Sequence, residues 1–428
     1  MAQPGKHVVI IGNGVAGITA ARHIRKRSNY RITVISSETD YFFSRTALMY
    51  IYMGHMQFEH TKPYEDWFWK KNRIDLKRAK VTAVLPAEQQ LLLDNGQTLL
   101  FDDLILATGS ASNKFGWPGQ DLKGVQGLYS YQNLQTMEAA TQQIKHAVVV
   151  GGGLIGIEMA EMLRSRGIGV TFLVRETSFW DNVLPPEESE LINLHIKEHH
   201  VDLRLATELK EILSDENGRA RAVVTADGAE IPCQFVGLTV GVHPNISFLK
   251  ESGIELDRGV LVDENLCTNY PNIYALGDCS QLRNPLENRR AMEPVWYTAK
   301  LMGETVAATI CGSETAYNPG IWFNSAKFFD IEYQTYGVVN ALPLAHEDSI
   351  LWNPKDGRRC LRIVFDKQTK SVLGFNAFGV RLRHQVCEQW IREQATIDKV
   401  LAELGKANFD PEFFKKFEKE VQLAYRKL

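Results

Sequence analysis

Two stretches of this chain share one pattern, and nothing else in it constrains the fold as much. The first, HVVIIGNGVAGITAARHI at residues 7–24, runs from four apolar residues (Val8 to Ile11) into glycines at G-x-G-x-x-G spacing and then turns helical. Its glycines are Gly12, Gly14 and Gly17, with Asn13, Val15 and Ala16 between them. The second, HAVVVGGGLIGIEMAEML at 146–163, repeats it with Gly151, Gly153 and Gly156 around Leu154 and Ile155. Such a segment builds a buried parallel strand, a tight turn and a helix N-terminus. The first glycine permits the turn, the second lets a pyrophosphate approach the backbone, and the third lets helix and strand pack. Unpaired N–H groups and the positive end of the helix dipole then face the phosphates. One such turn can serve packing alone. Two imply two dinucleotides, and the usual pair is a permanently held flavin dinucleotide and an exchangeable nicotinamide dinucleotide.

Further residues fall where such units need them. The strand RITVIS (31–36) is followed by Glu38, placed to hold a ribose hydroxyl. Arg45 follows in an aromatic-rich stretch otherwise read as a core-packing helix, and its fork suits a diphosphate. LILATG is a buried strand ending in Ala107, Thr108 and Gly109. NIYALGDC ends a strand in Gly277 and Asp278, putting a carboxylate at the mouth of a parallel sheet, where it can accept a hydrogen bond from a ribityl hydroxyl. After the strand VTFLV come Arg175 and Glu176. An arginine there accommodates the 2′-phosphate of NADPH and a carboxylate favours NADH, so the two nucleotides stay nearly even with a slight tilt to NADPH.

Composition narrows the class. The chain has 428 residues, enough for two to three domains. A net charge of -3 gives no reason to expect nucleic acid. No apolar run reaches the length of a membrane span. The N-terminus enters its first strand too early for a signal peptide, so a cytoplasmic location is expected. The six cysteines form no C-x-x-C pair and none lies in the first half of the chain. His195, His199 and His200 cluster in sequence without a cysteine or matching carboxylate, so they are expected to be solvated helical residues and no metal is expected.

Residues 74–112 alternate as strands, with a hairpin turn at Asn95-Gly96, and 220–240 alternate as a second hairpin. The last stretch reads as antiparallel strands closed by helices. Its final segment places Phe413, Phe414, Phe417, Val421, Ala424, Tyr425 and Leu428 at helical spacing. That face is expected to pack on its own domain or a partner subunit rather than a membrane, since three glutamates dilute the basic face.

With both glycine turns, ATG at 107–109, GVHP at 241–244 and GDC at 277–279 in this order, the chain resembles the FAD/NAD(P)-dependent pyridine nucleotide–disulfide oxidoreductases. Within them it is similar to the ferredoxin/rubredoxin-reductase branch and the flavoprotein portion of nitrite reductase. The resemblance implies an α/β fold of two doubly wound Rossmann-like nucleotide-binding domains plus a C-terminal α+β interface domain. FAD would occupy 1–115 and 243–318, NAD(P) 116–242, and the interface domain 319–428. Gly12 to Gly17, Glu38 and Arg45 would hold the ADP half of FAD, with Val81 beside the adenine. Thr108, Gly109 and Asp278 would line the rest of the flavin, Gly151 to Gly156 and Arg175 would hold NADH or NADPH, and Gly241 would border the nicotinamide. The redox cysteines of the disulfide reductases are missing from FFSRTALMY, which disfavours disulfide reduction. Tyr50 stands where the ferredoxin-reductase branch often has a lysine, and Glu158 resembles that lysine's partner.

The expected reaction is direct hydride transfer from nicotinamide to flavin, for which the protein must stack two rings and exclude water. Tyr50, Glu158 and Trp296 join Asp278 as candidates for the flavin surroundings. A small electron-carrier protein such as ferredoxin or rubredoxin is the expected acceptor. An NAD(P)H oxidase or quinone reductase, and a flavin-bearing redox sensor, are the competing readings. A homodimer through the last domain is usual for such chains.

Overall fold

The computed structural model describes residues 5–410, 412 and 416–426. The chain forms two compact units. One takes the residues up to Asn113, Tyr129–Glu138 and Val242–Pro319; the other takes Lys114–Leu128, Ala139–Gly241 and the residues from Gly320 onward.

In the first unit, five parallel strands lie in the order Ile273–Ala275, Asp103–Leu106, His7–Ile11, Arg31–Ser36, Ile74–Arg78. The central strand is wholly buried, which is why it reads as an unbroken apolar run instead of alternating. Helices Val15–Arg27 and Trp296–Ile310 pack against each other, and both contribute to this core. A three-stranded antiparallel sheet, Val81–Leu85, Gln90–Leu93 and Thr98–Leu100, carries the expected turn at Gly96, whose φ of 78° suits glycine. The aromatic stretch after Glu38 is not one helix. It breaks into short helical pieces, the 3-10 turn Arg45–Ala47 and the α-helices Leu48–Tyr52 and Asp66–Lys71 among them, and its rings pack on one another in several directions.

The second unit repeats the design. Its parallel strands run Val201–Arg204, Gly169–Leu173, His146–Val150, Phe235–Leu238, Val125–Gln126. In both sheets the strand entering the glycine turn is central, its successor lies on one side and a returning strand on the other. Each turn therefore sits where the strand order reverses, the position at which open α/β sheets bind ligands. The hairpin expected over 220–240 is shorter than expected: Ala220–Thr225 pairs with Glu230–Pro232, while Phe235–Leu238 joins the parallel sheet. All four residues of that last strand are buried, so it belongs between two covered faces.

A third sheet, antiparallel, has the order Phe323–Phe328, Ile331–Gly337, Val372–Phe378, Cys360–Asp366, Glu347–Trp352. Helices His384–Arg392, Ile397–Glu403 and Glu418–Tyr425 add Trp390, Ile397 and Val421 to its core. The terminal amphipathic helix thus buries Val421 and stacks Phe417 on Trp352 within its own unit; Phe413, Phe414 and Leu428 lie outside the described residues. Among the described residues no helix is long and apolar enough to cross a membrane.

The expectation of solvated histidines is corrected. His200 is exposed and His199 half-buried, but His195 is 1% exposed and has a carboxylate oxygen of Asp330 2.6 Å from its Nε2. The carboxylate arrives from a hairpin turn far along the chain, which no local spacing announces.

Candidate active site

The two glycine turns divide their labour in the same way. Gly12 has φ 112° and Gly151 φ 111°, and a Cβ on either would lie 2.0 Å from Ala107 O or 2.6 Å from Thr239 O, each the residue just past the neighbouring strand. A Cβ on Gly17 or Gly156 would strike the carbonyl of the first glycine, at 2.2 Å and 2.3 Å. Gly14 and Gly153 differ from both. Each precedes the first turn of its helix with extended backbone, and nothing lies within 4 Å of a Cβ built there. Open space above the middle glycine, at a helix N-terminus, is the cradle a pyrophosphate needs.

Around the first cradle the functional side chains form a chain of contacts. Asn13 donates from Nδ2 to the Thr39 carbonyl at 2.9 Å, fixing the turn to the segment after the second strand. Gly277 lies against Ala16 at the start of the helix, which brings the next residue, Asp278, to the cradle. Asp278 Oδ2 accepts from Ser110 Oγ at 3.1 Å and from the Tyr129 hydroxyl at 3.2 Å. Burial pushes the Asp278 carboxyl up, opposed by those two hydroxyls and by the Arg45 charge. Arg45 forks onto Glu38, donates to the Tyr129 carbonyl at 2.5 Å, and sits 4.5 Å from the Tyr129 ring centroid. Glu38 also accepts from the backbone N–H of Tyr131 at 2.9 Å. Thr108 and Gly109 continue from the strand end, and Gly109 with φ 66° passes under the Tyr129 hydroxyl.

Three other expected residues of this unit lie as follows. Val81 is buried at the start of its antiparallel strand, in the first core. Tyr50 stacks on His55 at 6.1 Å, and Trp296 opens its helix 6.0 Å from Phe42. Ser110 and Tyr129 escaped the sequence reading. Neither lies in a motif, and Tyr129 returns to this unit through a separate stretch of chain.

In the second unit a cavity of 560 Å³ is lined by Gly151, Gly153, Arg175, Glu176, Thr239 and Gly241, among others. Leu154 and Ile155 open the helix without lining it, and Gly156 serves the helix–strand contact. Arg175 Nη2 donates to Glu176 Oε1 at 3.0 Å, so the two specificity candidates are paired at the rim. Phe115 and Trp117, edge to face at 5.5 Å, add an aromatic wall unforeseen in the sequence, since no glycine or charge marks them. On the helix after the turn, burial and then the neighbouring Glu161 push the half-buried Glu158 up to about 7. Lys327 counters this weakly, because its 2.7 Å hydrogen bond goes to Glu161.

Two Rossmann-like sheets, each with a glycine cradle at its switch point, define a two-dinucleotide oxidoreductase. Residues 6–303 match the pyridine nucleotide-disulphide oxidoreductase family, and the chain belongs to it. It is 31% identical over 347 residues to the ferredoxin reductase subunit of 5,5'-dehydrodivanillate O-demethylase from Sphingobium sp. (strain NBRC 103272 / SYK-6), covering 80% of this chain and 83% of that one. It is 29% identical over 340 residues to nitrite reductase [NAD(P)H] from Bacillus subtilis (strain 168), covering 78% of this chain but only 41% of that longer protein. Its fold is similar to the solved covalent putidaredoxin reductase–putidaredoxin complex, with TM-score 0.83, 21% identity and 99% of each chain covered. The chain is an FAD- and NAD(P)H-dependent oxidoreductase by family, and the first cradle, with its open middle glycine and half-buried acidic partners, fits FAD.

Proposed function

We propose that this protein oxidises NAD(P)H and passes the electrons through FAD to a small electron-carrier protein of the ferredoxin or rubredoxin kind. The observation that carries this reading is two nucleotide cradles in a chain whose six thiols are all unpaired and none activated. Burial pushes every one of them up, Cys267 to about 11 and Cys233 to about 12, away from the thiolate that disulfide reduction requires. None of the six thiols is thus suited to relay electrons between a bound flavin and a disulfide. The Sphingobium relative, a ferredoxin reductase subunit, and the fold shared with putidaredoxin reductase support a protein carrier as acceptor. A cytoplasmic location belongs to the same proposal.

When bound, FAD supplies the hydride-accepting chemistry. The chain's own residues hold and orient it: Gly14 admits the pyrophosphate, the Glu38–Arg45 pair takes the ADP half, and Asp278 offers a carboxylate at the sheet mouth. Gly153, Arg175, Glu176 and Gly241 place the nicotinamide nucleotide. Tyr50 and Trp296 are assigned to the flavin surroundings, and Glu158 stands on the helix after the second glycine turn. The test is an anaerobic titration of the yellow protein with NADH and then NADPH, followed by ferredoxin, rubredoxin, quinone and oxygen as acceptors. Bleaching by one nucleotide and turnover fastest with a protein carrier supports the proposal. Turnover fastest with oxygen or quinone replaces it with the oxidase or quinone-reductase reading, and no bleaching replaces it with the sensor.

A further inference from the structure

The buried histidine of the second unit has chemistry that the nucleotide sites do not use. His195 lies in the last turn of helix Pro186–Glu198, and His199, its cap, follows four residues later on the same face. Asp330 sits in the turn between strands Phe323–Phe328 and Ile331–Gly337, within the same compact unit. One nitrogen from each ring and one oxygen of Asp330 lie within 4.8 Å of one another.

Hydrogen bonding alone leaves this cluster unsatisfied. Asp330 Oδ1 accepts properly from His199 Nε2 at 3.0 Å. His195 Nε2 comes within 2.6 Å of the same oxygen, yet neither nitrogen of its fully buried side chain has a hydrogen bond of acceptable geometry. A buried polar group whose contacts are poorly formed hydrogen bonds destabilises the fold. Three donor atoms converging on one point would satisfy it through a shared cation.

We propose that His195, His199 and Asp330 form a binding site for a divalent transition cation of the zinc class. Two imidazoles and one carboxylate are a borderline donor set that selects zinc over calcium or magnesium, with water completing a tetrahedron. Bonds of 2.0–2.1 Å set tetrahedral edges of about 3.3 Å, so the contacts of 2.6 Å and 3.0 Å to Asp330 Oδ1 need open by about 0.7 Å and about 0.3 Å. The surroundings are those of a built site. Glu198 Oε2 lies 3.5 Å from His195 Nδ1, without a formed hydrogen bond, on the side from which a carboxylate orients a ligating imidazole. Arg358 Nη1 holds Asp330 Oδ2 at 3.1 Å, leaving Oδ1 for the cation. Phe329 stacks on His199 at 4.2 Å and 9°, fixing that ring. The cation would tie the end of the helix to the hairpin turn.

The test is equilibrium dialysis of the tag-free holoprotein against micromolar zinc sulfate, with bound zinc counted by atomic emission. One equivalent per chain is expected, with a thermal midpoint that rises with zinc as mass action requires. His199→Ala and Asp330→Asn change partly exposed side chains, and circular dichroism checks that they fold. Each should weaken binding about a hundredfold and abolish the zinc-dependent rise; Glu198→Gln should weaken it about tenfold. Less than a tenth of an equivalent bound by the wild type would overturn the site (roughly the level of stray surface histidines). One equivalent that persists in both folded variants would overturn it too. Neither result bears on the electron-transfer reading.

Discussion

Arg45 and Glu38 hold each other in a two-point fork, Nη1 to Oε1 at 2.8 Å and Nη2 to Oε2 at 2.6 Å. Both side chains are half-buried, at 29% and 18% exposure, so the pair is partly shielded from solvent screening. The sequence assigned them separately, one to a ribose and one to a diphosphate; the fork makes them one device. Arg45→Ala removes charge-assisted hydrogen bonds that contribute roughly 1.5–3 kcal/mol. FAD affinity should fall about 10- to 100-fold, read from flavin released on dilution. Arg45→Lys keeps the charge without the fork and should recover only part of it. Unchanged flavin retention in Arg45→Ala would reduce the pair to a structural contact.

Asp278 is the shared acceptor for Ser110 and Tyr129. In Asp278→Ala both hydroxyls lose their partner and the sheet mouth loses its carboxylate. The purified variant should be colourless, and Asp278→Asn, which keeps one acceptor oxygen, should be partly yellow. Full yellow occupancy in the alanine variant would sink the assignment.

The glycines separate folding from binding. A Cβ on Gly12 would lie 2.0 Å from a backbone carbonyl, so Gly12→Ala should fail to fold or lose several degrees of Tm. Gly153 has open space and ordinary extended backbone. Gly153→Ala should therefore keep its Tm and its flavin while its KM for the nicotinamide nucleotide rises about tenfold or more. Equal Tm losses in the two variants would contradict the division of labour between first and middle glycine.

What was legible in the sequence was what local physics dictates. Gly12 and Gly151 need positive φ, Val8 to Ile11 and Ala147 to Val150 need cover on both faces, and Asp278 ends a strand; each leaves a mark in neighbouring residues. Contacts set by topology left none. Tyr129 reaches Asp278 across 149 positions, and His195 meets Asp330 from another sheet. The misread strand Phe235–Leu238 fails for a related reason: alternation upstream made a hairpin plausible, while the pairing that decides its sheet lies with His146–Val150.

The two candidates for nucleotide preference form a pair as well. Arg175 is 71% exposed and Glu176 33% exposed, and both line the cavity. Because the pair is exposed, its own energy is small, and its effect lies in which side chain meets the adenosine ribose. Arg175→Ala should raise the KM for NADPH about 3- to 10-fold with little change for NADH, and Glu176→Ala should do the reverse. Parallel changes for both nucleotides would show that the rim does not discriminate.

Glu158 gives a pH dependence whose sign is fixed. Burial and Glu161 raise its carboxyl from the ordinary 4.5 to about 7 in the folded chain. Between those values the folded state holds a proton that the unfolded state has released, so stability falls as pH rises. The contribution is full below about 4.5 and gone once pH passes through about 7. Its ceiling is roughly 3 kcal/mol, and water reaching the half-buried side chain reduces that to about 1–2 kcal/mol. Glu158→Gln is neutral at every pH, so the variant should be the more stable protein at pH 8 by about 1–2 kcal/mol. Near pH 4 the two should converge. Urea unfolding at both pH values measures this, and equal pH slopes for wild type and variant would mean that Glu158 ionises normally.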